Sequence, residues 1–334
     1  LKLKKEDPLR GYEYYKPGTI EEAIGLMTSL EDAQYIAGGT DILVLLRQKK
    51  IKPGHIISLR NIKDLAFIAH RNGLHIGGGT THAEIERNEI IRRSYSALYD
   101  ATSNLGSIQI RNVATIGGNI CNAAPSADTA CPLLVLDAEV TIAGPEGERK
   151  IPIDKFFLGP GKTILRKGEI LKEFIMPLFG LTTGSSYIKH TRRQAMDLPI
   201  IGVATRITIS IGKSGGELRC RDILCTIEDI SNLLARFEDE ELRCEDIRIA
   251  MGVVAPIPMR AKEAEAALKG KIISEKLFEE IGEIAANEAA PRDSVRGEAW
   301  YRREMIKVLV KRSILRSIDR IIRPDDMVYP ERLW

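Results

Sequence analysis

The sequence predicts an α+β protein of two main parts, and three patterns predict it. In the first half, short apolar strands run repeatedly into glycine turns: Tyr35-Ile36-Ala37 into Gly38-Gly39, Leu74 to Ile76 into Gly77-Gly78-Gly79, and a further apolar approach into Gly117-Gly118. In the second half, strand-like segments at Tyr187 to His190, Ile200 to Ile211 and Ile247 to Val254 precede helix-periodic ones at about 260–269, 274–290 and 297–322. Strands followed by helices mark an α+β arrangement, and a three-stranded antiparallel sheet is expected in this second part. The glycine- and threonine-rich stretch Leu178 to Gly184 is the expected boundary between the parts.

A chain of 334 residues has ample length for a sizeable core and for two domains, or one with subdomains. Its 44% hydrophobic and 28% charged residues are those of an ordinary globular protein and exclude a disordered one. The formal charge of +3 is too small and too dispersed for a nucleic-acid surface. No segment approaches the roughly 20 apolar residues that a membrane span requires. The lysines at Lys2, Lys4 and Lys5 and the acid Glu6 leave no apolar core of a secretion signal, so a cytoplasmic chain is expected. The five cysteines, at 121, 131, 220, 225 and 244, form no even framework and no C-x-x-C, which points to free thiols. Cys220, Cys225 and Cys244 lie close enough in sequence to raise an iron–sulfur or zinc reading. No fourth ligand is evident beside them, and no metal site is expected.

In chain order, Thr19-Ile20-Glu21-Glu22 has the form of a capping box, and Ile20, Ala23, Ile24, Met27 and Leu30 follow at helical spacing. The strand Tyr35 to Ala37 then enters Gly38-Gly39-Thr40-Asp41, with a helix expected from Ile42 to Gln48. A strand, a glycine turn and a helix N-terminus aim unpaired N–H groups at one point, which suits a phosphate; an ordinary strand-to-helix turn has the same look. A strand at Ile56 to Leu59 and a hairpin of Phe67 to His70 with Leu74 to Ile76 follow. After the triple glycine, Thr81 and Glu84 repeat the capping-box spacing. A helix is expected over 94–104.

The stretch Thr115-Ile116-Gly117-Gly118-Asn119, continuing through Cys121 and Pro125-Ser126-Ala127-Asp128, joins adjacent glycines to an amide, small residues and an acid. Its small side chains let the main chain approach a ligand, and consecutive N–H groups of a Gly-Gly turn can form an anion-binding concavity. The alternative is a tight turn before the helix-like Thr129 to Ala138, with Asp128 as its N-cap. Val140 to Ala143 and Arg149 to Ile153 read as a hairpin. Gly159-Pro160-Gly161-Lys162-Thr163 resembles the end of a P-loop, but the first glycine of that motif would fall at Phe156, so the motif fails. Gly168 to Phe174 reads as a strand that ends at Pro177. Farther on, Glu217 to Ile223 recurs almost unchanged as Glu241 to Ile247, a local duplication that makes residues 224–240 extra material.

In order, Ala37-Gly38-Gly39-Thr40-Asp41, Gln109 through Asn119, Pro125-Ser126-Ala127-Asp128-Thr129 and Tyr187-x-Lys189-x-x-Arg192-Arg193 with Asp197 closely resemble the FAD-binding medium subunits of molybdenum hydroxylases. This is the xanthine dehydrogenase and carbon monoxide dehydrogenase family. The resemblance runs on through Gly252-Val253-Val254-Ala255-Pro256, Arg260, Glu265, Asp293, Arg296 and Tyr301-Arg302-Arg303. It implies a two-subdomain FAD-binding domain of the vanillyl-alcohol-oxidase (PCMH) type over 1–180, with subdomains about 1–60 and 61–180. A small α+β domain over 185–290 and a C-terminal helix and tail over 291–334 complete the expected organisation.

The resemblance also implies a set of cofactor residues. Ile36, Ala37, Gly38, Gly39, Thr40 and Asp41, with Ala114, Thr115, Ile116, Gly117, Gly118 and Asn119, would hold the FAD pyrophosphate through backbone N–H groups. Asn119 and Asp128 would bind the adenine–ribose part, and Ile170 and Leu171 would line the adenine pocket. Lys189, Leu198, Leu105 and Gly106 would lie near the flavin ring. No catalytic acid–base set is implied.

Partners implied are a small iron–sulfur subunit with 2Fe-2S clusters and a large molybdopterin subunit, assembled as a dimer of heterotrimers, with NAD or another molecule as electron acceptor. A related branch carries a cysteine-rich cluster insertion after the second glycine loop; here Cys121 runs directly into Asn122, and no such cluster is expected. Two other functions fit a similar flavin domain: a self-sufficient FAD oxidoreductase, or a scaffold that has lost FAD.

Overall fold

The computed structural model describes residues 11–193, 195–211 and 242–323. The first copy of the duplicated heptapeptide, the extra residues 224–240, Cys220 and Cys225 lie outside the described residues. The chain forms two compact units that alternate along the sequence. The first takes the described residues up to Ile85, then Gly106–Ala124 and Ala138–Pro177; the second takes Glu86–Leu105, Pro125–Asp137 and the described residues from Leu178 on.

The first unit holds two sheets. One is parallel, in the order Glu13–Tyr15, His55–Ser58, Ala33–Ile36. The helix Ile20–Ser29 starts where the Thr19 hydroxyl accepts from the Glu22 N–H at 3.2 Å, and the Glu22 carboxylate returns to the Gly18 N–H at 2.7 Å. The capping box is therefore displaced by one residue from its usual reciprocal form. Ile20, Ala23 and Met27 repeat at helical spacing and are buried in one cluster with Ala33, Ile57, Ile62, Ala143 and Ile170.

The other sheet is antiparallel, in the order Ile68–His70, Leu74–Gly77, Ile170–Met176, Glu139–Gly144, Gly147–Pro152. Its centre is the strand latest in sequence, whose Phe174 and Met176 are fully buried. The failed P-loop is a two-stranded hairpin, Phe157–Gly159 with Lys162–Thr163.

The second unit is built on an antiparallel sheet of four strands, not three: Thr183–His190, Ile201–Ile211, Leu242–Gly252 and Met259–Arg260. The fourth has only two residues, paired to Ala250 and Met251, too short to show any alternation in the sequence. One face of the sheet, with Ile201, Val203, Ile207, Ile249 and Met251, packs on Phe278 and Ile281 of the helix Glu275–Glu288 and on Ile306, Val310 and Ile314 of the helix Ala299–Ile322. Side chains alternate along Thr183–His190. Gly184 and Ser186 meet the long helix, where Ser186 donates to the Ser313 carbonyl at 2.8 Å, while Ser185 turns the other way, and its hydroxyl accepts from the Ala97 N–H at 3.1 Å. Tyr187 and Lys189 share the face of Ser185, and this fixes which residues they meet. The helix expected over 94–104 is Ser96–Ser103, and a further helix, Glu89–Ser94, precedes it, separated where Tyr95 leaves helical geometry at φ −128° and ψ 44°.

Among the described residues no helix is long and apolar enough to cross a membrane.

Candidate functional site: a glycine cradle and a buried acid–lysine pair

In the first unit the strand Ala33–Ile36 ends at the expected turn. Gly39 takes φ +78°, and the helix Ile42–Arg47 follows. The main-chain N–H groups of Gly38, Gly39, Thr40 and Asp41 have no acceptor among the described residues. Four successive unpaired donors in a turn form a concavity for an anion. Asp41 precedes the helix without a side-chain cap bond, and burial pushes its carboxyl up from the ordinary carboxylate range. Gly38 lies hard against the second loop, where a Cβ would stand 2.0 Å from the Val113 carbonyl oxygen and 2.8 Å from the Ala114 Cα. Only a residue without a side chain lets these loops meet.

The second loop uses its amides differently. Thr115 caps the short helix Ile116–Cys121 by accepting from the Gly118 N–H at 3.1 Å. The N–H groups of Ala114, Ile116, Gly117 and Asn119 go to Ile110, Thr80, Gly78 and Thr115 carbonyls, at 2.8, 3.0, 2.8 and 3.0 Å. That of Thr115 has no acceptor among the described residues. This loop is a wall fixed from behind, and the first loop carries the free donors.

The support is the triple glycine Gly77-Gly78-Gly79. Gly78 donates to the Lys172 carbonyl at 2.7 Å and Gly79 to that of Leu65 at 2.6 Å. A Cβ on Gly77, Gly78 or Gly117 would lie 2.3, 2.3 or 2.4 Å from a backbone oxygen. The capping box predicted at Thr81 is formed, with Glu84 accepting from the Thr81 N–H at 2.8 Å and Thr81 from the Glu84 N–H at 3.3 Å.

The two adjacent glycines should therefore respond differently to substitution. A Cβ on Gly118 meets only the Thr115 hydroxyl at 2.9 Å, the end of a side chain, whereas one on Gly117 meets the Gly78 backbone. Gly117→Ala is expected to cost about 1–3 kcal/mol of stability. Gly118→Ala should retain most of it, so a loss of FAD in that variant isolates the loop's binding role. Thermal unfolding beside flavin absorbance checks both.

Behind the same loop His82 is fully buried, and neither ring nitrogen has a hydrogen-bond partner among the described residues. Burial, aided by Arg111, lowers its pKa from 6.5 to about 4. Protonation thus favours the unfolded chain. Stability from the neutral ring is complete above pH ~6.5 and falls as pH drops from there toward ~4, by about 3 kcal/mol in total. His82→Leu is expected to remove that component of the acid slope, measured as urea midpoints between pH 7 and 4.5.

In the second unit Asp128 is buried and both its oxygens are engaged. The Tyr187 hydroxyl donates to Oδ1 at 2.9 Å and Lys189 Nζ to Oδ2 at 2.8 Å. Lys189 also donates to the Asn104 carbonyl at 3.2 Å. Asp128 does not cap the helix Ala130–Val135; Thr129 stands at that place and makes no side-chain cap bond. Burial pushes the Asp128 carboxyl up, and Lys189 and Tyr187 pull it back only in part. Burial and the facing Asp128 hold the Tyr187 hydroxyl well above its ordinary value, so it remains a donor.

The other predicted positions scatter. Ile170 and Leu171 are buried on the central strand of the antiparallel sheet, with Ile170 in the core cluster. Ile36 and Ala37 are half-buried at the entrance to the first loop. Leu105 is buried at the end of a second-unit segment, and Gly106, at φ +54°, opens a first-unit one. Leu198 is 45% exposed. Among the described residues no group of three or more His, Cys, Asp or Glu side chains could hold a metal ion.

The donor set fits a dinucleotide pyrophosphate: uncharged main-chain N–H groups, with no room for side chains where the loops meet. Residues 10–179 match the family of the FAD binding domain in molybdopterin dehydrogenase, and residues 230–317 match the CO dehydrogenase flavoprotein C-terminal domain. The chain is 33% identical over 308 residues to the xanthine dehydrogenase FAD-binding subunit of Escherichia coli O157:H7, covering 91% of this chain and 95% of that one. It is 28% identical over 305 residues to the carbon monoxide dehydrogenase medium chain of Hydrogenophaga pseudoflava, covering 91% and 96%. The solved carbon monoxide dehydrogenase from Hydrogenophaga pseudoflava that lacks the Mo-pyranopterin moiety of its molybdenum cofactor superposes with a TM-score of 0.80 at 29% identity, covering 93% of this chain and 98% of that one. Cradle, fold and full-length likeness agree: the protein belongs to the FAD-binding medium subunits of the molybdenum hydroxylases, the xanthine and carbon monoxide dehydrogenase family, and is the oxidoreductase flavoprotein subunit of such a multi-subunit complex.

Proposed function

We propose that this chain is the electron-transfer subunit of its complex, taking electrons from 2Fe-2S clusters of a small partner subunit and passing them to NAD or another acceptor. A large molybdopterin subunit transforms the organic substrate, and the assembly is a dimer of heterotrimers. When bound, FAD supplies the redox chemistry, and the protein supplies position and electrostatics. The observation that carries this reading is the run of four unpaired N–H groups from Gly38 to Asp41, set against Val113 and Ala114.

In this reading the N–H groups of Gly38 to Asp41 donate to the pyrophosphate, Ile36 and Ala37 lead the chain into that loop, and Thr40 adds a hydroxyl. Residues 114–119 wall the loop and contribute the Thr115 N–H. Ile170 and Leu171 border the adenine, and Asn119 and Asp128 bind polar atoms of the adenine–ribose part. Leu105, Gly106, Lys189 and Leu198 serve the flavin ring. Asp128 holds Lys189 in a fixed direction, which limits the lysine's rotamers. Residues 1–180 then act as the FAD-binding part, 185–290 as the smaller domain and 291–334 as its closing helix and tail. A cytoplasmic location is part of the proposal; the described cysteines Cys121, Cys131 and Cys244 are free, as a reducing compartment keeps them.

The purified chain should show a flavin spectrum and release FAD on denaturation, and the complex isolated with it should contain iron and molybdenum. A colourless chain that never takes up FAD overturns the proposal, as does an isolated flavoprotein that oxidises small molecules without partners.

A further inference from the structure

We propose that Tyr187 is a positioning residue for the flavin: acting through Asp128, its hydroxyl fixes the direction of the Lys189 ammonium, an assignment that rests on the proposed place of Lys189 at the flavin ring. All the residues involved belong to the second unit. The side chains of Lys189 and Asp128 are 8% and 6% exposed. An ammonium has three N–H donors. Lys189 gives one to Asp128 Oδ2 at 2.8 Å and one to the Asn104 carbonyl at 3.2 Å; the third has no acceptor among the described residues. Two fixed acceptors stop rotation about the Cε–Nζ bond, so the third donor points one way.

That direction is only as firm as the carboxylate. The terminal torsion of an aspartate is broad, and a carboxylate held by the lysine alone would swing with it. The Tyr187 hydroxyl, donating to Oδ1 at 2.9 Å, pins the other oxygen. Tyr187 is held at its main chain as well, where its N–H donates at 2.9 Å to the Asp100 carboxylate, which has no exposed surface. The sheet leaves room for this arrangement at one place. Its register sets Lys189 opposite Gly202 and Tyr187 opposite Ala204. A Cβ on Gly202 would stand 2.4 Å from the Tyr187 hydroxyl oxygen and 2.9 and 3.0 Å from Cε2 and Cζ of its ring. A glycine inside a strand weakens it. Here the missing side chain is what lets the hydroxyl reach Asp128.

The consequence is electrostatic. A cation near the ring tunes a flavin, and a charge-assisted N–H favours the reduced form, whose ring is richer in electrons. Tyr187 touches neither the lysine nor the ring in this scheme; it keeps the donor aimed. A tyrosine present for packing alone would be replaced by phenylalanine without any effect on the cofactor.

The test measures the two-electron midpoint potential of the full chain loaded with FAD, against a reference dye, beside thermal unfolding. Tyr187→Phe removes the hydroxyl and keeps the ring; Gly202→Ala keeps the hydroxyl and displaces it. Both should lower the affinity for reduced relative to oxidised FAD about tenfold, a midpoint lower by about 30 mV. Lys189→Met should lower it at least as far. Ser185→Ala is the control: it loses the bond from the Ala97 N–H on the same strand face, and should lower stability without moving the midpoint. A midpoint unmoved or raised in both Tyr187→Phe and Gly202→Ala, while Lys189→Met lowers it, overturns the role of Tyr187 and leaves Lys189 at the ring. A midpoint unmoved in Lys189→Met as well overturns both assignments. A shift of equal size in Ser185→Ala also overturns the proposal, because general loosening of the strand then accounts for the effect.

Discussion

Gly38→Val is expected to leave the protein essentially without FAD. The new Cβ would stand 2.0 Å from the Val113 carbonyl oxygen, 2.7 Å from its carbon and 2.8 Å from the Ala114 Cα, all backbone atoms with no rotamer to give way. The loops must separate. The donors that move are the unpaired N–H groups of Gly38 to Asp41, so the binding geometry is lost with the contact. Overpacking of this kind costs about 1–3 kcal/mol of stability, a fraction of what holds a domain folded. FAD affinity should fall at least about a hundredfold, since each ~1.4 kcal/mol of misplaced donors is a factor of ten. Gly25→Ala is the control. It lies within the helix Ile20–Ser29 with nothing within 4 Å of a Cβ, and the change should raise stability by about 0.5–1 kcal/mol with FAD content unchanged. Equilibrium dialysis with FAD, beside thermal unfolding of both variants, separates binding from folding. A Gly38→Val protein that keeps its flavin at full occupancy would remove the first loop from the site.

The first loop was legible because its signal is local: a strand, two glycines and a helix start within ten residues decide where the free N–H groups point. The second loop was only half legible. Its glycines announce a close approach, but the fate of the Gly117 amide depends on Gly78, which folding brings in from another part of the chain. The same limit explains Asp128. Beside a helix start it reads as an N-cap, yet its partners are Tyr187 and Lys189, two residues apart on one strand and so on one face. The period-2 relation is visible in sequence; the strand's position opposite Asp128 is not. The alternation of the two units along the chain was invisible for a further reason. Composition marks linkers such as Leu178 to Gly184, whereas the helices at Glu89–Ser94, Ser96–Ser103 and Ala130–Val135 join the second unit through tertiary contacts that no local pattern announces.

Asp100→Ala should be among the most destabilising single changes in the chain, and nothing in the sequence singles this residue out. It lies in the helix Ser96–Ser103 with no exposed surface, inside the second unit. Arg320 donates to it through two nitrogens, at 2.7 and 2.8 Å, Arg316 donates at 3.2 Å, and the Tyr187 N–H reaches it at 2.9 Å. Burial opposes the charge, but Arg316, Arg320 and these hydrogen bonds outweigh it and hold the carboxyl below its ordinary range. Removing the carboxylate leaves two arginines facing a buried gap without their counter-ion, a loss of about 3–5 kcal/mol. Asp100→Asn keeps the shape and the Tyr187 bond yet loses the charge, and should cost nearly as much if the ion pairs dominate. The sign of the pH dependence follows from the lowered folded pKa. The carboxylate's contribution is complete above its unfolded value of ~3.9 and disappears as pH falls through the folded one. Between pH 7 and 5 the gap between the unmodified chain and Asp100→Asn should therefore stay constant, narrowing only in stronger acid. Urea unfolding across that range reads both. A variant within ~1 kcal/mol of the unmodified chain at pH 7 would mean that solvent reaches the arginines and the network is not the clamp between the long helix and the Tyr187 strand.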